Sequence, residues 1–451
     1  MKVQWFRSAT VGIKTNSGTT ILCDPWLTDG AFIGSWFHWP PLKNEYEEVL
    51  RMDWDYLYIS HLHPDHFDRN FVSDLARENQ KVKVIVPNFE NQWLLRAITN
   101  CGFDSSRICV LEGSKEYYFG DLKVKVLTAD YCDPLECGVS IPCETLSNQK
   151  STIDSLAIFE ADGQRILNAN DALAVKSIER LWAKIGDVDL LMGHFGGAGP
   201  FPQCFKDIDD DLKISQSAAT ASIFIQRLGN AANKTHSKFV FPYAGQYVLG
   251  GRLYTLNKFR SVLSLDEVKQ KLQEITTAEV ITLDINAEFD LDRGEVSNSW
   301  VEPSEEVLDH YIQEIKTIKF PYELRKLKPL NFEASLEAAA NKVLGIYGSS
   351  SEFFGAKNST ITLLSESHRM NLHFNGEKPH FTTQAELDSK SESHTLIELP
   401  DQLLYRIVLK RKDYKGFSQF HFNQAEIGSH LIWKRNGPYN NATKLLNFFH
   451  T

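Results

Sequence analysis

The sequence lacks the features on which secreted and membrane-spanning proteins depend. Its 451 residues include seven cysteines, an odd number that is typical of a reducing compartment rather than of a disulfide scaffold. It has neither an apolar run of about 18 residues, as a membrane span requires, nor a signal-peptide segment near its N-terminus. We therefore expect a cytoplasmic protein without a membrane span.

An excess of positive charge is also missing. The 48 Lys and Arg residues stand against 58 Asp and Glu residues, which gives a net charge of −10. This balance argues against nucleic acid as a partner and favours a small-molecule substrate. Hydrophobic residues at 42% and aromatic residues at 12% indicate a well-folded globular chain. Its length, at about 150 residues per domain, predicts two or three domains.

Strand-like and helix-like segments alternate through the first part of the chain, which predicts a layered α/β architecture. After about residue 260, amphipathic helical patterns predominate, and the last 120 residues mix strands and helices. We predict a catalytic α/β domain over residues 1–260, a helical connector over 261–330 and a smaller C-terminal α+β domain over 331–451. The order of segments in the last domain resembles the end of sterol-carrier-like domains, although simple packing would explain it equally well.

The most informative motif is His61-Leu62-His63-Pro64-Asp65-His66, which follows the apolar run WDYLYIS. Residues two apart in extended backbone project to one side, so His61 and His63 can hold one metal ion. Asp65 and His66 lie beyond the turn at Pro64 and can reach a second ion. The alternative is a solvated, histidine-rich turn. Two close ions can produce a nucleophilic hydroxide or, if they are iron, activate dioxygen.

This motif is similar to the metal-binding signature of the metallo-β-lactamase superfamily. The resemblance covers residues 1–260 and implies an αββα sandwich, with two β-sheets between layers of helices and the metals on loops at one edge. It implies that Asp24 supports a ligand histidine and that Asp171 bridges two metals. Asp24 in a strand-ending turn and Asp171 as a helix N-cap are the simpler interpretations.

Two further ligands of the family are less plainly matched. The third histidine of the hydrolytic members is missing, since no histidine occurs between Phe67 and Gly193. Asp130 is our first candidate for that position and Asp154 the second. For the last ligand of the family we choose His194, with His236 as a weaker candidate. Carboxylates in this shell would suit iron better than zinc.

Longer phrases are similar to the CMP-N-acetylneuraminate hydroxylases and bacterial nucleotide-sugar hydroxylases. They are DPWL near the start, LMGHFGGAGPFP, FPYAGQYV and DLDRG. Those enzymes pair this fold with a Rieske iron–sulfur domain. A Rieske site needs cysteine and histidine ligand pairs, yet no cysteine of this chain is followed by a histidine two or three residues later. We therefore expect electrons to come from a separate protein.

An aromatic loop, Trp26–Trp39, follows the strand predicted to end at Cys23 and could overhang the metals. A pocket that binds a base or a sugar face would use stacking aromatic rings. Core packing is the alternative for at least half of these side chains. The predicted pocket residues are Trp26, Trp36, His38, Trp39 and Tyr243.

The function that these features favour is an iron-dependent, oxygen-using hydroxylase of a nucleotide sugar or similar polar metabolite. Mononuclear or dinuclear iron would be held by His61, His63, Asp65, His66, Asp130, Asp171 and His194, with Asp65 and Asp171 as the catalytic carboxylates. A dinuclear zinc hydrolase of an ester or phosphodiester is the alternative. A binding module with a residual metal site is the third interpretation. A further metal at Cys132, Cys137 and Cys143 is conceivable, but buried packing explains such cysteines more simply.

Overall fold

The computed structural model describes residues 1–89, 92–128, 154–174, 181–354, 358–374, 379–384, 391–409, 420–437 and 441–450. Asp130 and the predicted cysteine cluster Cys132, Cys137 and Cys143 lie outside these residues. Among the described residues, no helix has both the length and the apolar character needed to cross a bilayer.

Two large sheets dominate the N-terminal part of the chain. The first has eight strands in the order β17-β16-β1-β2-β3-β5-β6-β7. In chain order these are β1 (Lys2–Arg7), β2 (Thr10–Lys14), β3 (Thr20–Cys23), β5 (Tyr56–Tyr58), β6 (Lys83–Pro87), β7 (Ile108–Leu111), β16 (Glu288–Asp290) and β17 (Glu295–Val296). Strands β3, β5, β6 and β7 run parallel to one another, whereas β1 and β2 form antiparallel pairs.

The second sheet has seven strands in the order β15-β13-β12-β11-β10-β9-β8. These are β8 (Glu116–Phe119), β9 (Leu122–Thr128), β10 (Ser155–Ala161), β11 (Gln164–Asn170), β12 (Leu190–His194), β13 (Phe239–Ala244) and β15 (Glu279–Val280). The pairs from β11 to β15 are parallel. A separate two-stranded ribbon joins β4 (Trp36–Phe37) to β14 (Val248–Leu249).

The side chains of β1 show how the layers form. Val3 and Trp5 point into the core between the two sheets, whereas Phe6 points to the opposite face, where helices cover the sheet. This alternation follows from the two-residue period of a strand. Both faces of the sheet are therefore buried, as an αββα sandwich requires.

Helices cover the sandwich and link it to the rest of the chain. Several begin with an acceptor side chain on free backbone N–H groups, such as Asp68 before α3 and Asp209 before α6. The helices up to residue 324 are α1 (Ala31–Gly34), α2 (Glu45–Arg51), α3 (Arg69–Glu78), α4 (Trp93–Asn100), α5 (Trp182–Ile185), α6 (Asp210–Lys234), α7 (Leu265–Ile275), α8 (Glu305–Ile315) and α9 (Pro321–Leu324). Short 3-10 helices lie at Ser105–Arg107, Asp171–Ala174 and Gly251–Phe259.

The C-terminal module, residues 332–450, is built around a sheet of its own. Its strands are β18 (Ser359–Leu364), β19 (Arg369–Phe374), β20 (His380–Thr382), β21 (Ser393–Glu398) and β22 (Ile432–Asn436), in the order β20-β19-β18-β21-β22. Its helices are α10 (Phe332–Phe354), α11 (Asp401–Val408), α12 (Phe422–Ile427) and a 3-10 helix at Asn441–His450. The module therefore mixes strands and helices in one unit.

The segment 261–330, which we predicted to be a helical connector, contains both helices and strands in the structure. It contains α7, α8 and α9, but it also contains β15, β16 and β17, which add to the two sheets of the sandwich. Phe289 of β16 pairs with Val3 of β1 and is fully buried in the inter-sheet core. The sandwich therefore continues past residue 260, because these strands of two or three residues complete the edges of its sheets.

Candidate metal centre

The ends of parallel strands from both sheets meet at one edge of the sandwich. Asp24 directly follows β3, and the HLHPDH segment begins three residues after the end of the neighbouring β5. From the second sheet, Asp171 directly follows β11 and His194 is the last residue of β12. The carboxyl ends of parallel strands share one edge of a sheet, so side chains far apart in sequence converge here.

The turn that carries the histidines is held by backbone and side-chain hydrogen bonds. The amides of His66 and Phe67 both donate to the carbonyl of His63, at 3.0 and 2.8 Å. The Asp68 amide donates to Pro25 O at 2.9 Å, which ties this turn to the loop after β3. The side chain of Asp68 also caps α3, so the turn is fixed at its C-terminal end.

His61, His66 and Asp171 form the tightest group of metal-ligating atoms among the described residues, with one ligand atom of each within 4.8 Å of the others. Nε2 of His66 lies 3.4 Å from Asp171 Oδ1, and Nε2 of His61 lies 4.0 Å from Asp171 Oδ2. Nε2 of His61 is also 3.0 Å from Nδ1 of His63. The structure thus brings four of the predicted ligands into one cluster.

His194 and Asp65 add two ligand atoms that the rest of the described chain leaves without partners. Nε2 of His194 and Oδ1 of Asp65 are both buried and have no hydrogen-bond partner among the described residues. Leaving such polar atoms unpaired costs about 1–3 kcal/mol each. Bound cations are a standard way to satisfy them, so both atoms fit a metal site.

The outward nitrogens of three histidines find fixed oxygen partners in the sandwich. Nδ1 of His61 lies 2.9 Å from Ser60 Oγ, which itself donates to Asp24 Oδ2 at 2.7 Å. Nδ1 of His66 lies 3.2 Å from Asp24 Oδ2, and Nδ1 of His194 lies 2.7 Å from the carbonyl of Asn170. Each Nδ1 therefore carries a proton, and Nε2 is the nitrogen that each of these rings turns toward the site. Metal-binding histidines almost always show this arrangement.

Asp24 contacts both ends of the histidine motif, through Ser60 and His66. It is fully buried, and its Oδ1 accepts from the amide of Ser60 at 2.7 Å. It also adopts a left-handed backbone conformation, with φ of 43°. Asp24 has the environment of an orienting residue behind the ligands.

The charges of the cluster are strongly perturbed. Burial alone would lower the pKa of His66, but the charges of Asp171 and Asp65 outweigh it and raise that pKa well above its ordinary value. Burial raises the pKa of Asp65 to about 7, with repulsion from Asp171 adding to the effect. Burial lowers the pKa of His63 to about 4. Carboxylates crowded against imidazoles are typical of a site built for a cation.

The two alternative ligand candidates, Asp154 and His236, lie outside the group formed by His61, His66 and Asp171. Asp154, just before β10, places Oδ1 3.6 Å from Nδ1 of His61, on the ring edge that also meets Ser60. Burial, followed by repulsion from Asp171, raises the pKa of Asp154 well above its ordinary value. His236 is 76% exposed and pairs with Asp187. The environment of His236 is that of a surface residue.

The predicted pocket residues are all buried. Four of them have a defined partner. Trp26 Nε1 donates to Thr28 O, His38 contacts Asp29 and Trp26 O, Trp39 stacks on Tyr311, and Tyr243 donates to Asn168. Trp36 differs, since its ring stacks on Tyr247 at 3.5 Å and its buried Nε1 has no hydrogen-bond partner among the described residues.

One contact to the site was not expected from the sequence. Oδ1 of Asn423, in the C-terminal module, lies 3.1 Å from Nε2 of His63. The phrase HFNQAEIGSHLIWKR around it is interpreted through the resemblance to sterol-carrier-like domains or as simple packing, and neither interpretation places it at the metal centre. Since 360 positions separate the two residues, no local pattern could have paired them.

Comparison with known protein families agrees with this geometry. The model of the beta-lactamase superfamily domain matches residues 2–228, about half of the chain. The chain belongs to the beta-lactamase superfamily. The two-sheet sandwich flanked by helices confirms the fold expected from the HLHPDH motif.

Several curated proteins are similar to this superfamily member. A Mycobacterium tuberculosis protein named as a Rieske 2Fe-2S iron-sulfur protein is 29% identical over 244 residues, which cover 52% of this chain and 41% of the relative. The cytidine monophosphate-N-acetylneuraminic acid hydroxylase of Macaca mulatta is 28% identical over 254 residues, or 55% of this chain and 38% of the relative. The chain thus matches about two fifths of the length of these relatives.

Solved structures with a similar arrangement include both oxidative and hydrolytic proteins. CmlA, a diiron β-hydroxylase from Streptomyces venezuelae, matches with a TM-score of 0.40 and 16% identity over 63% of this chain and 53% of that one. A possible metal-dependent hydrolase from Veillonella parvula matches with a TM-score of 0.42 and 14% identity over 64% of this chain and 98% of that one.

Proposed function

We propose that this protein is an iron-dependent hydroxylase that inserts oxygen into a nucleotide sugar or a similar polar metabolite. One observation carries the proposal of a working metal site. The ring nitrogens of four histidines and the carboxylates of Asp65 and Asp171 converge at one edge of the sandwich, and the remaining ring nitrogens are held by oxygen partners.

The donor set supports iron as the metal. A shell of imidazoles with two carboxylates offers the mixed nitrogen and oxygen ligands that non-haem iron enzymes use. Bound iron, mononuclear or dinuclear, would supply the reductive activation of dioxygen. Asp130 remains proposed as a further carboxylate ligand, whereas Asp154 lies against Nδ1 of His61, on the ring edge that faces away from the metal. Similarity to a cytidine monophosphate-N-acetylneuraminic acid hydroxylase supports the same reaction class.

The chain itself would position the substrate and the ligands. Asp65 and Asp171, the proposed catalytic carboxylates, flank Nε2 of His66 at 3.8 and 3.4 Å. The free indole N–H of Trp36 is our proposed substrate contact in the predicted pocket, because a polar substrate atom would satisfy it. The walls of the pocket behind Trp36 would be formed by Trp26, His38, Trp39 and Tyr243.

The proposed reaction consumes one dioxygen, two electrons and two protons for each substrate. One oxygen atom enters a C–H bond of the substrate and the other leaves as water. We propose a separate electron-transfer protein as the electron source. Similarity to a protein named as a Rieske iron-sulfur protein is compatible with this partnership.

The test uses iron-loaded protein, a chemical reductant, isotopically labelled dioxygen and a panel of nucleotide sugars. We expect one product to gain a single labelled oxygen atom. Asp171→Asn should abolish this product, whereas Asp187→Asn, a surface control that pairs with His236, should not. Phosphodiester or ester cleavage by the zinc-loaded protein, without labelled product from the iron form, would instead establish the hydrolase alternative.

A further inference from the structure

The C-terminal module reaches the metal centre through one side chain. Asn423 lies on α12, is only 1% exposed, and accepts a hydrogen bond at 3.1 Å from Nε2 of His63. Among the described residues, Nε2 of His63 is the outward histidine nitrogen of the cluster that pairs with the C-terminal module and not with the sandwich. The corresponding partners of His61, His66 and His194 are Ser60, Asp24 and Asn170.

This hydrogen bond decides which nitrogen of His63 faces the site. An amide oxygen can only accept, so Nε2 of His63 carries the proton and Nδ1 has the lone pair. That lone pair lies 3.0 Å from Nε2 of His61, whose own proton is on the opposite nitrogen. Two lone pairs at this distance repel each other unless a cation lies between or beside them.

The position of α12 is fixed by contacts to the aromatic loop. Nε2 of His430 donates to the carbonyl of Phe32 at 2.9 Å, and the hydroxyl of Tyr322 donates to Nδ1 of His430 at 3.0 Å. The ring of Phe32 in turn lies 5.9 Å from the ring of His63. Asn423 is therefore carried by a packed, hydrogen-bonded interface.

We infer that Asn423 is a positioning residue of the metal centre, which makes the C-terminal module a structural part of that site. Asn423 holds His63 in the tautomer and ring orientation that present Nδ1 to the metal. This inference depends on the part of the proposed function that places a metal at the histidine cluster. It does not depend on the reaction or on the identity of the substrate.

The test measures the dissociation constant of Co²⁺ by competition with a chelator, together with the visible absorption spectrum of the Co²⁺ form. Asn423→Leu removes the acceptor and should raise the dissociation constant by roughly 10- to 100-fold, as is typical when such an outer partner is lost. The Co²⁺ spectrum should also change, since His63 can then turn. Asn423→Asp keeps an acceptor oxygen and should restore both the affinity and the spectrum.

Two controls separate this effect from damage to the fold. Gln424→Leu alters the neighbouring amide on α12 and should leave Co²⁺ binding unchanged. Asn423→Ala, which introduces no bulk, should reproduce the loss if leucine cannot be packed. If a folded Asn423→Leu or Asn423→Ala protein keeps the wild-type Co²⁺ affinity and spectrum, the role of Asn423 is overturned, whereas the proposed metal function still stands. Failure of the wild-type protein to bind Co²⁺ would overturn the proposed metal function as well.

Discussion

At the scale of single residues, the site depends on side chains that orient ligands. The sandwich holds three of the four cluster histidines through a carboxylate, a hydroxyl and a carbonyl. Asp24 contributes most to this orientation, because its carboxylate accepts hydrogen bonds from both His66 and Ser60. The orientation of the proposed ligands is therefore set by the groups that hold their outward ring nitrogens.

Asp24→Ala should weaken metal binding by roughly 10- to 100-fold, because His66 and Ser60 lose their common acceptor. It should also lower the free energy of unfolding by about 1–3 kcal/mol for each buried donor left unpaired. Chelator competition and urea unfolding of the metal-free protein measure the two effects. Asp209→Ala, which removes the cap of α6 on the surface, is the matched control. It should cost about 1 kcal/mol of stability. The prediction fails if both variants bind metal equally well.

At the scale of elements, the aromatic loop is held at both ends. At one end, the buried Arg7 of β1 donates to Pro40 O at 2.8 Å and to Pro41 O at 2.9 Å, and it forms an ion pair with Glu45 of α2. At the other end, Asp68 accepts from the amide of Leu27. The rigidity of this loop comes from the elements on either side.

The ion pair should make stability depend on pH. Burial alone would raise the pKa of Glu45, but hydrogen bonding from the Lys43 amide and the charge of Arg7 outweigh burial and lower that pKa below its ordinary value. A carboxyl with a lowered pKa stabilises the fold above its unfolded pKa, about 4.3, and this contribution is lost as pH falls further. Glu45→Gln should therefore destabilise most at neutral pH and progressively less below about pH 4. Urea unfolding at several pH values measures this, and a difference independent of pH would contradict it.

Gly428 at the end of α12 tests the contact between the two parts of the chain. A Cβ at this position would lie 2.6 Å from the carbonyl oxygen of Phe32, which is too close for any real contact. Gly428→Ala should therefore lower stability and push α12 away from the aromatic loop. Gly345→Ala, on α10, meets nothing within 4 Å and should raise stability by about 0.5–1 kcal/mol through helix propensity. Thermal melting compares the pair, and equal melting temperatures would show that α12 does not pack tightly here.

At the scale of the whole molecule, the metal centre lies where the sandwich meets the C-terminal module. Metal binding should therefore stabilise both parts together. A metal at 100 times its dissociation constant adds about 2.7 kcal/mol to the free energy of unfolding. Removing it with a chelator should lower the melting temperature measured by far-UV circular dichroism. An unchanged melting temperature after the chelator is added would show that the site holds no metal that stabilises the fold.

The parts of this structure that the sequence could predict are those with a local signal. The HLHPDH motif holds four ligand candidates within six residues, so their convergence needs only one strand end and one turn. Asp24 and Asp171 could be proposed only through the resemblance to the superfamily, since a turn or a helix cap would explain each of them locally. Strands β15 to β17 were not foreseen, because two or three residues carry no periodic pattern. Asn423 could not be found in this way, since its approach to His63 exists only after the C-terminal module has docked.

The most direct test of the proposed function is metal analysis of protein purified without oxygen. Elemental analysis should find one or two iron ions per chain, and reduced protein should consume dioxygen. His63→Ala, made in parallel, should lose the iron. Two tightly held zinc ions in the wild-type protein, with phosphodiesterase activity and no oxygen consumption, would contradict the account.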